Sequence, residues 1–436
     1  MNLFNLILRL KGFPIKEAQL HLKHIQSQGE VDFEACVKKQ RDTILNYHLQ
    51  NNVYYKNIVG GKDVSEWNDV PILYKKDLQI QLKKRLSKGF SKKNVYINKT
   101  SGSSGHPFIF AKDSYCHALT WAEIFNRFSW YNIDFNSSYQ ARFYGIPLDT
   151  IGYKKERLKD WLSKRYRFPI FDLSEKKLEG ILKKFSNTSF DYINGYTSSI
   201  VLFAKYLRSK NIYLKDICPT IKVCMVTSEM LFETDKLLME EVFGVPIINE
   251  YGASELDLIA FTNPTGQFVV NSETLFVEIL NEENKPVPNG TLGRIVITSL
   301  YNKAHPFIRY DIGDFGMLSE KSTAKTPVLK ELIGRTNDIA KLPSGKTVPG
   351  LTFYYVTKSI IEDDGNVKEF VIEQLAIDTF KIIYVSEREL TNKESKKIED
   401  ALYKYLENNL TLIFERVAVL KRKKNGKLKQ FISLIE

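Results

Sequence analysis

A short run of hydroxyl and glycine residues lies between two apolar stretches, in the segment INKTSGSSGHPFIF, residues 97–110. Glycines let the backbone turn tightly, so that bare N–H groups and neighbouring hydroxyls can approach a phosphate closely. The run lacks the lysine of a Walker P-loop, and strands are expected on both of its sides. Alone it is typical of a surface loop; with the motifs below it indicates a phosphate-binding loop. Its residues are Thr100, Ser101, Gly102, Ser103, Ser104 and Gly105.

Two carboxylate motifs follow. NEYGASE comes after the apolar strand GVPII and contains Tyr251 and Glu255. A tyrosine at such a place can pack against a base or a phosphate, and a carboxylate can hold Mg²⁺ through oxygen. Further along, RYDIGD ends in Asp314, a carboxylate suited to hydrogen-bonding a ribose diol.

Two basic motifs lie nearer the end of the chain. GRTND contains Arg335, and NGKLK places Lys427 in a glycine turn. Each of the five motifs has an ordinary explanation by itself, as a surface loop, a turn or a charged tail. All five in this order along one chain indicate a single nucleotide-dependent site.

The elements that must position these motifs alternate between helices and strands. Apolar spacing predicts two helices over residues 14–58, the second starting at Asp32. NVYIN and PFIFA predict strands around the hydroxyl-rich loop, followed by a helix over residues 113–130 and the buried strand YQARFYGIP. From 174 to 245 helices and strands alternate, which predicts α/β layers with a mostly parallel sheet.

The last hundred or so residues form a separate pattern. FKIIYVS and IFERVAVL predict strands, and Thr391 to Glu394 matches a capping box that opens a helix. We therefore predict an α/β fold with a large N-terminal domain of mixed or parallel sheets and helices, residues 1–334. A small C-terminal α+β domain, residues 335–436, follows it.

Composition narrows the class of protein. Among 436 residues, 63 Lys and Arg against 51 Asp and Glu give a net charge of +12, which suits nucleotides or an acidic membrane surface. No nucleic-acid-binding signature is present, so we predict no nucleic-acid partner. Four cysteines without a CxxC pair and six histidines give no metal-ligand spacing and fit a reduced, cytoplasmic setting.

The N-terminus MNLFNLILRLKGF is apolar but short. No run approaches the about 18 apolar residues of a membrane span. We expect the N-terminus to pack against the body of the protein, with peripheral membrane association as the alternative.

Together the motifs resemble those of the adenylate-forming enzymes, which include acyl-CoA synthetases, peptide-synthetase adenylation domains and luciferases. TSGSSGHP resembles their phosphate loop, YGASE and YDIGD their magnesium and ribose motifs, GRTND their hinge, and GKLK their catalytic-lysine motif. DVPILYKKDL, INGYTSSIVLFAKYL and LPSGKTVPG resemble the phenylacetate–CoA ligase branch, and within it the CapK-like proteins of capsule and O-antigen gene clusters. The resemblance extends from about residue 40 to the end of the chain.

The resemblance implies a ligase that uses ATP and Mg²⁺ to convert a carboxylic acid into an acyl-adenylate, releasing pyrophosphate. Coenzyme A is the implied acyl acceptor, and surface-polysaccharide biosynthesis is the implied context. An amide-forming ligase with an amine acceptor and a non-catalytic nucleotide-binding relative stay open as alternatives. The sequence identifies neither the carboxylic acid nor an oligomeric state.

The resemblance also implies roles for single residues. Lys427, on a mobile C-terminal domain, stabilises charge at the α-phosphate, while Glu255 binds Mg²⁺ and Arg335 assists at the phosphate. The implied nucleotide site comprises Thr100, Ser101, Gly102, Ser103, Ser104, Gly105, Glu229, Asn249, Glu250, Tyr251, Gly252, Ser254, Asp314 and Arg335. The implied acyl pocket comprises Trp121, Tyr144, Gly145 and Tyr196.

Two positions depart from the family pattern. Phe108 follows Pro107, where the family often has a basic residue. Asn337 aligns with the usual hinge aspartate, and Asp338 is next to it. Either residue can serve as the hinge.

Overall fold

The computed structural model describes residues 3–100, 108–145, 150–170, 172–335, 339–345, 347–349, 367–405, 407–422, 428 and 431–435. The chain divides into two compact units. The first comprises Met1–Ile312 and Gly316–Glu331, and the second comprises Gly313–Phe315 and Leu332–Glu436.

The described elements are numbered in chain order. The helices are α1 (Leu3–Leu10), α2 (Ile15–Ser27), α3 (Glu30–Asn51), α4 (Val53–Val59), α5 (Leu82–Arg85), α6 (Ser114–Ser129), α7 (Thr150–Leu162), α8 (Glu175–Ser186), α9 (Thr197–Ser209), α10 (Leu214–Ile217), α11 (Glu233–Phe243) and α12 (Asn392–Tyr405). The strands are β1 (Tyr96–Lys99), β2 (Ile109–Lys112), β3 (Gln140–Phe143), β4 (Arg165–Phe168), β5 (Tyr192–Tyr196), β6 (Val223–Thr227), β7 (Ile247–Ala253), β8 (Asp257–Thr262), β9 (Phe268–Val270), β10 (Leu275–Leu280), β11 (Gly293–Ser299), β12 (Tyr310–Leu318), β13 (Leu329–Arg335), β14 (Ile339–Lys341), β15 (Thr347–Pro349), β16 (Val367–Gln374), β17 (Thr379–Ser386), β18 (Thr411–Arg416) and β19 (Phe431–Ser433).

A seven-stranded sheet with the order β4-β3-β5-β6-β7-β8-β9 forms the centre of the first unit. Its first five strands are parallel to one another, whereas β8 and β9 are antiparallel. Helices connect the parallel strands, with α9 and α10 between β5 and β6 and α11 between β6 and β7. This arrangement confirms the predicted α/β layers with a mostly parallel sheet.

Different helices pack against the two faces of this sheet. Because side chains alternate along a strand, every second residue shares a face. One face packs against α8, α9 and α11 in a large apolar core that includes Phe143, Ile193, Val226, Ile181, Phe203 and Met239. On the other face, Phe128 of α6 packs in a smaller cluster with Tyr192, Met225 and Ile248.

Two smaller sheets complete the antiparallel part of the fold. β1 and β2 pair antiparallel, which confirms the strands predicted around the hydroxyl-rich loop. The order β10-β11-β12-β13 defines a four-stranded sheet, in which β10 and β11 pair antiparallel. RYDIGD leads into β12 and supplies its first five residues.

The N-terminal region has more helices than the sequence predicted. Residues 14–58 contain α2, α3 and the start of α4, and α3 begins at Glu30, two residues before the predicted start at Asp32. Asn52 separates α3 from α4 because its backbone is extended, with φ −123°, and its side chain accepts a hydrogen bond from the Tyr55 N–H at 2.8 Å. No helix of the described chain is both long and apolar enough to cross a bilayer.

The second unit contains a sheet with the order β18-β17-β16-β19 together with α12. The predicted capping box is formed: the Thr391 N–H donates to the Glu394 carboxylate at 2.6 Å, and the Glu394 N–H donates to the Thr391 hydroxyl at 3.3 Å. Hydrogen bonds from Arg388 and from Thr391 lower the pKa of Glu394 to about 2. The strand predicted at IFERVAVL is shorter than expected, because β18 ends at Arg416.

Candidate active site

Polar residues gather where the parallel strands of the large sheet end. Strand register aligns Tyr196 of β5 with Thr227 of β6, and Thr227 with Glu250 of β7. Tyr144 directly follows Phe143, which is opposite Gly195 on β5. The four polar residues therefore form one row across four neighbouring strands. The carboxyl ends of the strands in an open α/β sheet are the usual location of a ligand crevice.

The two tyrosines of this row contact each other. The rings of Tyr144 and Tyr196 lie 4.6 Å apart, and the guanidinium of Arg142 lies 4.2 Å above the Tyr144 ring. Burial raises the pKa of both phenols; that of Tyr196 reaches about 12, with the Glu229 carboxylate contributing. Both hydroxyls therefore stay protonated at neutral pH and can donate hydrogen bonds. The carbonyl oxygen of Gly145 accepts a hydrogen bond from Arg167 at 3.2 Å.

A glycine lets the strands under this pair come together. A Cβ atom on Gly195 would lie 2.4 Å from the carbonyl oxygen of Phe143. A side chain there would force β3 and β5 apart, so the sequence INGY requires glycine at this position. The close approach brings Tyr144 and Tyr196 side by side at the carboxyl edge of the sheet.

YGASE forms the end of β7 and the turn into β8. Gly252 is needed because a Cβ atom on it would lie 2.5 Å from the carbonyl oxygen of Asp257. Asp257 has a left-handed backbone, with φ 58°, and its partly exposed carboxylate forms a salt bridge with the buried Lys112 of β2. Ser254 is exposed in the turn, whereas Glu255 is only 5% exposed. The hairpin thus carries Glu255 inward at a fixed position.

Glu255 meets the start of the second carboxylate motif. The hydroxyl of Tyr310 donates a hydrogen bond to Glu255 Oε1 at 2.9 Å, and both side chains are buried. Tyr310 is itself held by backbone bonds on either side, since the Leu73 N–H donates to Arg309 and the Asp311 N–H donates to Leu73. Residues from YGASE and RYDIGD are therefore in direct contact, although they are distant in sequence.

Thr100 closes the base of the predicted phosphate loop. Its N–H donates to the Phe108 carbonyl at 2.9 Å, and its hydroxyl accepts from the Phe108 N–H at 3.1 Å. Phe108 is 1% exposed, and the Arg85 guanidinium lies 5.3 Å from its ring centre. Arg85 also donates to the Ile109 carbonyl at 2.7 Å. The position that is often basic in the family is part of the core here.

Glu229 has a clear structural contact. Its carboxylate accepts a hydrogen bond from the Ser198 N–H at 2.7 Å, and its carbonyl accepts one from the Thr197 hydroxyl at 3.3 Å. These donors belong to the first turn of α9, where a negative charge is favourable. Glu229 therefore stabilises the start of α9, next to the tyrosine pair.

Three other predicted residues lie on β7. The Asn249 N–H donates to the Thr262 hydroxyl at 3.1 Å, which fixes β7 against β8. Tyr251 follows in the same strand and is partly buried. Burial raises the pKa of Glu250, while a hydrogen bond with Thr227 and the charge of Arg142 oppose that rise.

The structure does not bring Trp121 to the tyrosine pair. The indole N–H donates to His117 Nε2 at 3.2 Å, and the ring lies 5.0 Å from that of Phe4 and 5.7 Å from that of Phe125. Trp121 thus packs between α6 and the N-terminal helix α1. Its place in the acyl pocket stays a prediction.

The remaining predicted residues are placed as follows. Asp314 is buried in β12, within the stretch that groups with the second unit, and Arg335 is the last residue of β13. Ser101 to Gly105, Asn337, Asp338 and Lys427 lie outside the described residues. Their roles stay predictions.

One carboxylate is available for a metal near the contact between the two motifs. Within the described ranges, no group of three or more His, Cys, Asp or Glu side chains could hold a metal ion. Proteins bind Mg²⁺ through one or two carboxylates together with substrate phosphates and water. Glu255, buried and bonded through one oxygen to Tyr310, fits this kind of site and not an all-protein cage.

Comparisons with known proteins agree with this architecture. No protein-family model and no curated protein matches the chain. Among solved structures, 2-hydroxyisobutyryl-CoA ligase in complex with R3-HIB-AMP has a TM-score of 0.69 at 14% identity, covering 94% of this chain and 91% of that one. The anthranilate CoA ligase AuaEII with anthranoyl-AMP has a TM-score of 0.53 at 15% identity, covering 76% of this chain and 64% of that one.

A third similar structure is the amide bond synthetase McbA from Marinactinospora thermotolerans, with a TM-score of 0.53 at 13% identity, covering 76% of this chain and 68% of that one. Likeness at such low identity concerns the fold. The chain therefore has the mixed α/β fold of the adenylate-forming ligases, including a C-terminal domain, as its motifs predicted.

Proposed function

We propose that this protein is an ATP-dependent adenylate-forming ligase. The observation that carries the proposal is the 2.9 Å hydrogen bond between Tyr310 and Glu255, because it joins the YGASE and RYDIGD motifs at one buried point. The bond places the Glu255 carboxylate, proposed to bind Mg²⁺, at the start of the motif proposed to bind the ribose. The fold supports the same class of protein.

The reaction has two steps. A carboxylate oxygen of the acid attacks the α-phosphorus of ATP, and the bond from that phosphorus to the oxygen bridging to the β-phosphate breaks. An acyl-adenylate and pyrophosphate result. In the second step a nucleophile attacks the acyl carbonyl carbon and loses its proton, and AMP leaves with the electrons of the acyl–oxygen bond.

The residues of the chain have the following proposed roles. Glu255 would hold Mg²⁺, which neutralises phosphate charge when bound. Asp314 would accept hydrogen bonds from the ribose hydroxyls, and the loop closed by Thr100 would cradle the β- and γ-phosphates through N–H groups and hydroxyls. Lys427 would stabilise the charge that develops between the acid and the α-phosphate, a purely electrostatic role. Arg335 would assist at the phosphate.

The acceptor in the second step is proposed to be coenzyme A. One similar structure is a 2-hydroxyisobutyryl-CoA ligase in complex with 2-HIB-AMP and CoA in the thioesterification state, which supports a thiol acceptor. The similar amide bond synthetase supports an amine as the second candidate. We further propose a phenylacetate–CoA ligase-like enzyme of the CapK type, acting in the cytoplasm in surface-polysaccharide biosynthesis. This finer assignment depends on the sequence motifs alone.

Carboxylate-dependent exchange of labelled pyrophosphate into ATP tests the proposal. A panel of aromatic, short-chain hydroxy, uronic and dicarboxylic acids should contain at least one acid that drives exchange. Glu255→Gln should weaken the Mg²⁺ dependence and leave the fold intact, because the amide keeps the shape but loses the charge. Folded protein that binds ATP and exchanges with no acid would favour the non-catalytic alternative instead.

A further inference from the structure

Arginine side chains inside the first unit are almost all held by oxygen atoms of the protein. Carboxylates or backbone carbonyls accept hydrogen bonds or ion pairs from Arg85, Arg127, Arg165, Arg167, Arg294 and Arg309. This pattern is the expected one, because a cation away from water is costly unless it is paired.

Arg142 differs from these arginines. Among the described residues its buried Nε atom has no hydrogen-bond partner, which is also true of Arg167, but unlike Arg167 it forms no ion pair with a carboxylate. Its guanidinium lies 4.2 Å from the centre of the Tyr144 ring, and its charge also acts on the Glu250 carboxylate. A cation–π contact of this kind leaves the N–H groups at the edge of the guanidinium plane available to a ligand.

The position of Arg142 points to the acyl end of the proposed site. It is opposite Asn194 on β5 and lies on the sheet face that the apolar core does not use, since Ala141 and Phe143 on either side face that core. Two residues further on, just past the end of β3, Tyr144 pairs with Tyr196 at the margin of that core. Arg142 therefore lies two residues before Tyr144, the member of the polar row at the carboxyl end of β3.

The neighbouring polar groups have other partners. Asn194 accepts from Gln140 at 3.3 Å and donates to the Met225 carbonyl at 3.3 Å. Glu250 is hydrogen-bonded with Thr227, and the charge of Arg142 acts on it without forming an ion pair in the described chain. An anion is therefore favoured on the β3 side, beside Arg142, and disfavoured beside Glu250.

We propose that Arg142 forms an oxyanion subsite for a second acidic group of the acyl substrate, so that the acid activated by this enzyme is a dicarboxylic acid. One carboxylate reacts with ATP, and the other receives the planar guanidinium fork through two parallel N–H···O bonds. The phenols of Tyr144 and Tyr196 donate to the same end of the substrate. This proposal rests on the proposed function and specifies its substrate class.

Matched pairs of acids test the subsite directly. Pyrophosphate exchange is measured with succinate against butyrate, glutarate against valerate, and isophthalate against benzoate. The wild-type enzyme should prefer the diacid of at least one pair in kcat/KM. Arg142→Met should reduce that preference by about 10- to 150-fold, the range that corresponds to the 1.5–3 kcal/mol of a charged hydrogen bond. Arg142→Lys should keep part of the preference, since it retains the charge without the fork.

A matched control comes from the neighbouring strand. Arg165 is already paired with Asp160, so Arg165→Met should leave the ratio of diacid to monoacid unchanged. Calorimetric titration of each diacid into the enzyme without ATP provides a second readout, and Arg142→Met should weaken that binding by the same factor. If Arg142→Met does not fold, the diacid preference and the calorimetric diacid binding of Arg142→Lys are compared with those of the wild-type enzyme instead.

The outcomes separate the subsite from the proposed function. Exchange with no acid at all by folded wild-type enzyme would reject the proposed function. Exchange with monoacids and diacids at equal efficiency, or an Arg142→Met defect of equal size for both, would overturn the subsite alone. A rise in the KM for ATP with an unchanged acid ratio would assign the oxyanion to a nucleotide phosphate, and would also overturn the proposal.

Discussion

Tyr310→Phe removes the hydroxyl group that joins the two carboxylate motifs. The bond to Glu255 is 2.9 Å long, and the two side chains are 1% and 5% exposed, so water cannot easily replace the lost donor. A hydrogen bond to a charged group contributes about 1.5–3 kcal/mol, twice the contribution of a neutral one. We expect Tyr310→Phe to lower the free energy of unfolding of the first unit by that amount.

Tyr55→Phe is the matched control. Tyr55 is also fully buried, but its hydroxyl has no hydrogen-bond partner in the part of the chain that the structure describes. Removing it deletes an unsatisfied polar group, so stability should stay the same or rise slightly. Denaturant unfolding monitored by fluorescence and circular dichroism measures both variants under identical conditions.

A double-mutant cycle with Glu255→Ala isolates the bond from the loss of each side chain. If the bond has the proposed strength, the two single effects will exceed the double effect by about 1.5–3 kcal/mol. Additive effects would refute the reasoning, since they would mean that the two side chains contribute independently. Equal destabilisation by Tyr55→Phe would refute it too, because then any buried tyrosine hydroxyl would matter equally.

Two further predictions concern catalysis. Lys427→Ala should reduce acyl-adenylate formation by about 10²–10³-fold, the scale of one lost electrostatic donor at a transition state. Acyl transfer from presynthesised acyl-adenylate should continue at a near-normal rate; Lys429→Ala is the control, and equal loss in both steps would contradict a lysine that acts in only one. Asp314→Ala should raise the KM for ATP by about 10- to 150-fold, the equivalent of 1.5–3 kcal/mol, and a shift confined to the KM for the acid would place Asp314 in the acyl pocket.

Local signals made part of the structure predictable. Alternating strands and helices predicted the parallel sheet, and a parallel sheet brings its carboxyl ends to one edge, where Tyr144, Tyr196 and Glu250 meet. The capping box at Thr391 could also be predicted from the sequence, because its two hydrogen bonds involve residues only three positions apart.

Helix α7 and strand β4 were not predicted because charged side chains are buried there while an apolar side chain is exposed. Asp160 is buried and pairs with Arg165 and Arg167, whereas Trp161 on the same helix is 73% exposed. Periodic hydrophobicity is the main signal for an amphipathic helix, and here ion pairs replace it. Long-range pairing of this kind cannot be seen in a window of a dozen or so residues.

For similar reasons, the contacts of two further residues could be seen only in the three-dimensional structure. Trp121 is covered by Phe4, more than a hundred positions earlier, a contact that its aromatic character alone could not indicate. Arg142 was overlooked, although a lone charge within the buried strand YQARFYG was a visible signal. Its importance depends on the absence of a carboxylate partner among the described residues, which only the packing reveals.

At position 108 the family pattern and the packing of this protein favour different residues, which leads to a prediction for Phe108. Phe108→Lys would restore the basic residue that the family often has after the loop proline, yet we expect it to destabilise the protein. The side chain is 1% exposed and the Arg85 guanidinium lies 5.3 Å from the ring, so the variant would bury a second cation beside the first. Removing the ring alone, as in Phe108→Ala, typically costs about 3–5 kcal/mol, and the added charge increases that cost.

Ile109→Lys provides the control for Phe108→Lys, because Ile109 is adjacent and 46% exposed. Thermal unfolding should show a large loss of stability for Phe108→Lys and little change for Ile109→Lys. Tighter ATP binding with unchanged stability in Phe108→Lys would contradict the reasoning, since it would mean that the lysine had reached the phosphate loop. The expected result instead assigns phosphate recognition to the N–H groups and hydroxyls of the loop, and leaves position 108 to the core that supports it.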